Sequence, residues 1–277
     1  MKKILFTLLT LGLLLACTEE KIPGQEEERP SEEQETPPAP AGCPDGAVDL
    51  GLGLYWAKSN LSEEGLCPNP EDYGDYYAWG ETEPHYAPGH SQDIVCNYAW
   101  RVIDDKQMTG YNWPSYKWCN GNYNKLTKYC PETETGLWAG TGAPDNKTVL
   151  ITGSEGDDVA SKQLGGKWRM PTDAEWTELM TKCTWTWIGS FNETGVAGFI
   201  VTSNVSGFTD KSIFLPAAGG RSSIGLYDAG SCGSYWSSSL YTNTPDMAWY
   251  VFFSSEITPD SFFTARCYGL PVRPVSE

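Results

Sequence analysis

Histidine, the side chain most often used for acid–base and nucleophilic catalysis near neutral pH, occurs only twice in this 277-residue chain. His85 and His90 lie close together in one loop-like stretch. A Ser-His-Asp or Cys-His arrangement would therefore have to include one of them, and neither has a partner at a recognisable spacing. The sequence predicts that the chain is not an enzyme of these types.

Carboxylates are plentiful, and one cluster of them stands between Pro70 and Pro84. Its acids include Asp72, Asp75, Glu81 and Glu83. Their spacing is not that of a calcium-binding EF-hand loop, so we expect solvated loop acids and predict no metal site and no cofactor. Two acids from distant positions that act together as a glycosidase remain an alternative.

Cysteine is the third residue type that offers chemistry. Apart from Cys17, the chain has an even set of cysteines: Cys43, Cys67, Cys96, Cys119, Cys130, Cys183, Cys232 and Cys267. Disulfides are permitted in an exported chain, but the sequence does not choose among their pairings. The set has no CxxC pair and histidine is scarce, so a structural zinc site is not expected. Several of these cysteines are expected to be buried thiols.

The last fifty residues combine many aromatic side chains with Ser, Thr, Asn and Asp, a mixture that is typical of recognition surfaces. Along a strand, Ala248, Val251 and Phe253 are expected to face inward, whereas Tyr250 and Phe252 face the other way. One buried face does not require apolar groups on both sides, so we predict that the excess aromatic surface meets a partner. An ordinary aromatic-rich core is the alternative.

The composition limits the partners. The formal net charge is −17, which argues against nucleic acid because phosphate binding needs clustered Lys and Arg. The length suits one large domain or two small ones.

The N-terminus predicts a membrane anchor. Residues 1–16 have a basic start and an apolar run that is too short to span a bilayer, and they lead to Leu14-Leu15-Ala16-Cys17. This segment resembles the lipobox of bacterial lipoproteins, in which a signal peptidase cuts the chain before the cysteine and the cysteine is acylated. Residues 17–42 are predicted to form a disordered tether rich in Glu and Pro. The acids after the lipobox resemble a surface-export signal of some Gram-negative gut anaerobes, so we expect outer-membrane, cell-surface display.

The elements that position the aromatic tail are short. We predict a strand over 47–61, a helix within 168–183, and strands over 195–202 and 211–218. The helix has Thr172 at its N-cap and Glu175 three residues later, the capping-box spacing. Its apolar positions Trp176, Leu179, Met180 and Cys183 recur at helical spacing. The chain from 86 to 166 is predicted to be irregular, with Trp100, Trp113, Trp118 and Trp138 holding loops over a core. This pattern predicts an α+β domain over 43–277 with short antiparallel strands, one or two helices and long loops.

Six motifs occur once each, in this order, along that domain: VDLGLGLYWA, EDYGDYYAWGE, GGKWRMPTDAEW, IFLPAAGGR, GSYWSSS and RCYGLPVRPV. Together they resemble the Fibrobacter succinogenes major paralogous domain, a family of bacterial surface lipoprotein domains. That family is similar to the C-type-lectin-like fold of formylglycine-generating enzymes. The resemblance implies one C-type-lectin-like domain with its terminal strands adjacent and a ligand face built from loops.

The tail also resembles the variable region of proteins that are diversified by retroelements. This second resemblance implies a fixed scaffold formed by Trp236, Ala248, Val251, Phe253, Arg266, Gly269, Val272 and Arg273. It implies ligand-facing side chains at Tyr241, Asn243, Asp246, Tyr250, Phe252, Asp260, Phe262, Phe263 and Tyr268. In such proteins, mutagenesis directed at adenines changes the codons of scattered positions. Trp249 and Glu256 depart from the pattern, because an asparagine codon that mutates only at its adenines cannot become a codon for Trp or Glu.

The sequence therefore predicts a lipid-anchored surface protein that binds a glycan or protein ligand non-covalently. The predicted ligand-binding residues are Tyr241, Asn243, Asp246, Trp249, Tyr250, Phe252, Glu256, Asp260, Phe262, Phe263 and Tyr268. A structural or pilus-tip-like envelope component is one alternative. A remnant of a formylglycine-generating enzyme is another, although the late cysteines Cys232 and Cys267 lack that family's close pairing. The calcium-binding triplets of sugar-binding C-type lectins are incomplete, so calcium dependence is doubtful.

Overall fold

Short antiparallel strands make up most of the regular structure. The computed structural model describes residues 42–85, 110–130 and 145–277, together with the backbone of residues 101–103 and 106–108. In chain order, the strands are β1 (Ala47–Asp49), β2 (Tyr55–Ala57), β3 (Leu61–Ser62), β4 (Gly65–Leu66), β5 (Tyr77–Ala78), β6 (Arg101–Ile103), β7 (Lys106–Met108), β8 (Trp168–Arg169), β9 (Cys183–Ile188), β10 (Gly198–Ser203), β11 (Ser212–Pro216), β12 (Gly220–Ser222), β13 (Gly225–Tyr227), β14 (Cys232–Leu240), β15 (Met247–Ser254), β16 (Asp260–Ala265), β17 (Gly269–Leu270) and β18 (Val275–Ser276). The helices are α1 (Val159–Leu164) and α2 (Asp173–Lys182), with 3₁₀ turns at Trp113–Ser115 and Phe191–Glu193.

The predicted α+β class is wrong, because strand accounts for 34% of the structure and helix for only 11%. The chain is β-rich, with several small antiparallel sheets. The apolar run over 47–61 does not form one strand: Gly51 and Gly53 have φ of 73° and 75° and separate β1 from β2. Such left-handed backbone is open to glycine and ends a strand. A further strand, β9, begins directly after α2, where none was predicted.

The sheets bring distant parts of the sequence together. Their strand orders are β1-β2-β18-β8, β11-β10-β9, β13-β12-β17-β5, β14-β15-β16, β3-β4 and β6-β7. In the first sheet, Val275 of β18 lies opposite Trp56 of β2 on one side and Arg169 of β8 on the other. The expected adjacency of the terminal strands is therefore confirmed. The predicted strands 195–202 and 211–218 are confirmed as β10 and β11, with ends shifted by a few residues.

Helix α2 begins as the sequence predicts. The hydroxyl of Thr172 accepts the backbone N–H of Glu175, and the carboxylate of Glu175 accepts the N–H of Thr172 at 2.7 Å. This capping box satisfies backbone donors that the first turn leaves without helical partners. Trp176 and Leu179 are buried, so the predicted apolar stripe faces the core.

Helix α1 was not predicted, and a buried carboxylate caps it. Asp158 is fully buried, and its side chain accepts backbone N–H groups from Ser161 and Met170. Burial raises the pKa of Asp158 to about 6. The folded state therefore binds this proton more tightly than the unfolded chain, and the group's contribution to the free energy of unfolding falls as the pH rises from about 4 to about 6.

Asp158→Asn is expected to remove this titration while keeping a capping oxygen. Between pH 4 and 6, the free energy of unfolding of the variant should rise relative to that of the natural chain by about 2 kcal/mol. Urea unfolding of both proteins at the two pH values measures this change, and any constant cost of the substitution cancels in the difference. An identical difference at both pH values would contradict the account.

Indole side chains pin the long middle segment, as predicted, where the structure describes it. Trp118 donates its Nε1–H to the carbonyl of Gly80 at 2.6 Å, and Trp113 packs edge to face against Tyr116. Trp100 and Trp138 lie outside the described residues.

Three clusters of buried side chains form the core. The first includes Trp56, Trp176, Leu179, Tyr235, Val251 and Phe253. The second includes Trp79, Trp236, Leu240, Ala248, Leu270 and Val272. The third includes Tyr76, Tyr111, Tyr116, Cys119, Cys130 and Cys267. Cys67, Cys119, Cys183 and Cys267 are buried thiols, as expected for part of the cysteine set.

The predicted signal peptide, Cys17 and nearly all of the tether lie outside the described residues. The predicted boundaries at 16, 17–42 and 43–277 therefore stay predictions. Within the described ranges, no helix has the length and apolar character that a membrane crossing requires.

Candidate functional site

The aromatic tail forms the sheet β14-β15-β16. A bulge in β14 lets the backbone of this strand bond to elements outside the sheet. The register is regular from Cys232 to Trp236 and shifts before Leu240, so extra residues bulge out between them. Here the backbone of β14 bonds to other elements: the carbonyl of Trp236 accepts the Nε1–H of Trp176, and the N–H of Ser238 donates to Pro171. The hydroxyl of Ser239 accepts the N–H of Asp173, the first residue of α2, at 3.1 Å.

Core side chains pack against part of both faces of the sheet. Val251 and Phe253 face the first cluster together with Tyr235, whereas Ala248 faces the second cluster together with Trp236. Successive residues of a strand point to opposite faces, so Ala248 cannot share a face with Val251. The prediction that these three inward residues lie on one side is therefore wrong.

The same alternation divides the predicted ligand-binding residues into two sets. Trp249 lies opposite Phe263 and shares a face with Val251, whereas Tyr250 lies opposite Phe262 on the other face. We call the exposed part of the first set, Tyr241, Trp249 and Phe263, the Trp249 face. We call the second set, Tyr250, Phe252 and Phe262, the Phe262 face.

The Trp249 face is a closely packed aromatic cluster that remains open to solvent. The rings of Tyr241 and Phe263 are stacked with centroids 4.0 Å apart and an interplanar angle of 5°. Trp249 packs edge to face against Tyr241 at 5.0 Å. Phe263 is 40% exposed, and the amide of the exposed Asn243 donates to the hydroxyl of Tyr241 at 3.4 Å. The cluster therefore combines accessible rings with neutral polar groups.

The turn from Tyr241 to Met247 holds this cluster. The N–H of Tyr241 donates to the carbonyl of Met247, and the N–H of Met247 donates to Thr244. The buried guanidinium of Arg266 donates to the carbonyl of Pro245 at 2.9 Å and so holds the turn against the core.

Arg266 is fully buried and ties the turn to the middle segment. Its guanidinium also donates to the hydroxyl of Tyr116 at 2.9 Å, to the carbonyl of Tyr129 at 3.2 Å and to that of Lys128 at 3.1 Å. It lies 4.8 Å from the centroid of the Trp79 ring, in a cation–π contact. These bonds explain why an arginine belongs to the scaffold.

The Phe262 face is more closely tied to the core. Phe262 is 39% exposed and packs against Phe252 and Tyr250 at centroid distances of 6.1 and 6.3 Å. Tyr250 in turn packs edge to face against the buried Trp236. Only the outer end of this face is therefore well exposed.

Two predicted residues lie away from both faces. Asp246 is only 6% exposed, and burial raises the pKa of its carboxyl. Its carbonyl accepts the N–H of Arg266 at the edge of the sheet, so this side chain is not available to a ligand as predicted. Tyr268 packs, half-buried, against the third cluster.

Two other predicted acids, Glu256 and Asp260, are exposed at the turn between β15 and β16. Sequence reasoning missed Ile257 in the same turn, which is 38% exposed. An isoleucine between polar neighbours in a predicted turn is the signal that was available. Between Cys232 and Ala265 there is no Lys, Arg or His, so the exposed charges of this segment are negative.

Of the two histidines considered for catalysis, only His85 lies in the described part of the chain, and its side chain is not accessible to solvent. His85 is buried: its Nε2 lies 2.7 Å from a carboxylate oxygen of Glu81, its Nδ1 lies 3.1 Å from the carbonyl of Gly110, and its ring stacks on Tyr111. Burial lowers the pKa of His85 to about 4. The expectation that Glu81 is a solvated loop acid is wrong, because this contact lies inside the protein. His90 is outside the described residues.

The late cysteines occupy different surroundings. Cys232 is half-buried on β14, whereas Cys267 is buried in the third cluster, where burial raises the pKa of its thiol well above the usual value. A raised pKa disfavours the thiolate, which is the reactive form. In the ranges that the structure describes, no group of three or more His, Cys, Asp or Glu side chains is placed to hold a metal ion.

Comparisons with known proteins add no relative: no protein-family model matches the sequence, and neither a curated protein nor a solved structure is significantly similar to it.

Proposed function

We propose that this chain is a binding protein whose ligand contacts the Trp249 face without covalent chemistry. The observation that carries the proposal is the exposed Phe263 ring, stacked on Tyr241 beside Trp249 and next to the amide of Asn243. Aromatic area left open to water usually meets a partner, and rigid rings supply contact area at a low cost in conformational entropy.

A neutral glycan fits this surface best. Ring faces and edges pack against the C–H groups of sugars, while the Asn243 amide and the Tyr241 hydroxyl supply hydrogen bonds to sugar hydroxyls. Sulfated or phosphorylated glycans fit poorly, because the segment has no exposed cation and the chain's net charge is −17.

The proposal keeps the sequence-based expectation of surface display. An acylated Cys17 and the acidic tether would hold the binding surface away from the outer membrane. Mass spectrometry of the N-terminal peptide distinguishes an acylated Cys17 from an unmodified one.

Phe263→Ala is expected to weaken glycan binding by at least about tenfold with little change in melting temperature, because a half-exposed ring contributes more to binding than to folding. The purified chain is first screened on an array of neutral and sulfated oligosaccharides. Affinity for the best-bound neutral oligosaccharide is then measured for the natural chain and the variant. The matched control is Ile224→Ala, which removes a 75% exposed apolar side chain at the β12–β13 turn in another sheet.

Binding to sulfated oligosaccharides alone, or an equal loss in both variants, would overturn the glycan assignment. If no oligosaccharide binds at any concentration, a neutral glycan is excluded as the ligand of the Trp249 face.

A further inference from the structure

In the described part of the chain, the outer edge of β16 has no strand beside it, although helix α2 contacts this strand. β16 pairs with β15 on one side, and no strand among the described residues pairs with its other side. The opposite edge of the same sheet, on β14, is closed. There the carbonyls of Cys232 and Ser238 accept N–H groups from Gly219 and Leu150, and the N–H of Leu240 donates to Thr148.

The hydrogen bonds identify which residues of β16 present their backbone to the outer edge. The N–H of Arg266 donates to the carbonyl of Asp246, so even-numbered residues of β15 and β16 bond to each other. Because the bonding direction alternates along a strand, the N–H and C=O of Ser261 and Phe263 point outward. Two contacts agree with this assignment. The N–H of Ser261 donates to the side chain of Asp260 at 2.9 Å, and the carbonyl of Ala265 accepts from Tyr268.

Of the usual protections against strand pairing, this edge has only one, the charge of Asp260 at its start. Native edge strands commonly carry lysine, proline or a bulge. β16, with the sequence DSFFTA, has no lysine and no proline, and its pairing with β15 is regular. It also carries two phenylalanines that are each about two-fifths exposed. These features favour a second strand at this edge.

We infer that β16 pairs antiparallel with β16 of a second copy of this chain, which joins the two three-stranded sheets into one. A two-fold axis perpendicular to the sheet requires residues with outward backbone groups to meet each other. Centring the axis on Phe262 satisfies this condition, since Ser261 then lies opposite Phe263 of the second copy. Both Phe262 rings meet on one face.

The charges of the edge suit this self-pairing. In that register Asp260 lies opposite Thr264 of the second copy, so a carboxylate faces a hydroxyl instead of another carboxylate. On pairing, the N–H of Ser261 would give up its hydrogen bond to the side chain of Asp260 and donate to the carbonyl of Phe263 of the second copy. Two chains of net charge −17 still repel each other at long range, so association should tighten as salt is added.

The pairing has a functional consequence that does not depend on what the ligand is. A perpendicular two-fold axis keeps both Trp249 faces on the same side of the joined sheet. The dimer would then engage a repetitive ligand at two points, and the second contact is strengthened by proximity.

Sedimentation velocity of the purified full chain over a range of concentrations, at low and high salt, tests the pairing. The natural chain is expected to form a dimer whose dissociation constant falls with added salt. Phe262→Asp places like charges opposite each other and should raise that constant by at least about tenfold. Ile257→Asp adds the same charge at a 38% exposed residue of the same hairpin, outside β16, and should change it little.

The register has its own test. Phe262→Cys places two thiols opposite each other at the axis and should give a disulfide-linked dimer under mild oxidation, whereas Thr264→Cys, opposite Asp260, should not. A chain that stays monomeric at every concentration and salt, equal effects of the two Asp variants, or cross-linking by Thr264→Cys alone would overturn the inference. None of these results would contradict the glycan proposal, because glycan affinity is measured for a single Trp249 face and does not require a dimer.

Discussion

Replacing Arg266 by methionine is expected to lower the free energy of unfolding by about 3–5 kcal/mol. The guanidinium donates to four acceptors inside the protein, on Tyr116, Lys128, Tyr129 and Pro245. A methionine fills a similar volume but leaves these buried acceptors without donors, and each unsatisfied group costs roughly 1–3 kcal/mol. Relief of the buried charge offsets only part of that cost.

Urea unfolding measures the Arg266→Met effect. Lys211→Met is the control, since Lys211 forms an exposed ion pair with Asp210 and such pairs contribute about 0–1 kcal/mol. Comparable losses in both variants would mean that the Arg266 bonds do not organise the fold. We also expect Arg266→Met to weaken ligand binding, because the carbonyl of Pro245 loses its donor and the Tyr241–Met247 turn becomes mobile.

Trp236→Ala is expected to cost about 3–5 kcal/mol of unfolding free energy, the usual range for removing a buried tryptophan. Trp236 is fully buried in the second cluster, and its Nε1–H donates to the carbonyl of Tyr77 at 2.8 Å. The substitution leaves a large cavity beside Leu270 and Val272, and it removes the donor for Tyr77.

Trp249→Ala in the neighbouring strand is the matched control for Trp236→Ala. Trp249 is half-exposed, so its loss should cost only about 1 kcal/mol while it removes glycan binding. Urea unfolding and glycan affinity of the two variants give the comparison. If Trp249→Ala destabilised the fold as much as Trp236→Ala, the Trp249 face would be core and not a binding surface.

The elements that sequence predicted well are those coded by local patterns. The capping box of Thr172 and Glu175 fixes the start of α2, and the apolar runs of β10 and β11 are near each other in the sequence and pair directly. The fold class was wrong because strands of two or three residues, such as β17 and β18, are too short to show a period. Their strand character comes from partners such as β2 and β12, which are far away in sequence.

The candidate site was predicted in composition but not in arrangement. The tail has more apolar residues than one buried face needs, so its composition alone predicts that some aromatic side chains, such as Phe262 and Phe263, are exposed. Their division between two faces depends on the register of β15 and β16, which composition does not carry. Asp246 is buried beside Arg266, whose bonds to Pro245 and to Lys128 of the middle segment join residues that are far apart in sequence.

The central claim is that the terminal sheet separates two jobs, with ligand contact on the Trp249 face and self-pairing at the β16 edge through Phe262. The most direct test measures both glycan affinity and dimer dissociation for Phe263→Ala and Phe262→Asp. The account predicts that Phe263→Ala loses glycan binding and keeps the dimer, whereas Phe262→Asp loses the dimer and keeps the affinity of a single site. Two variants that lose both properties together, or neither property, would contradict it.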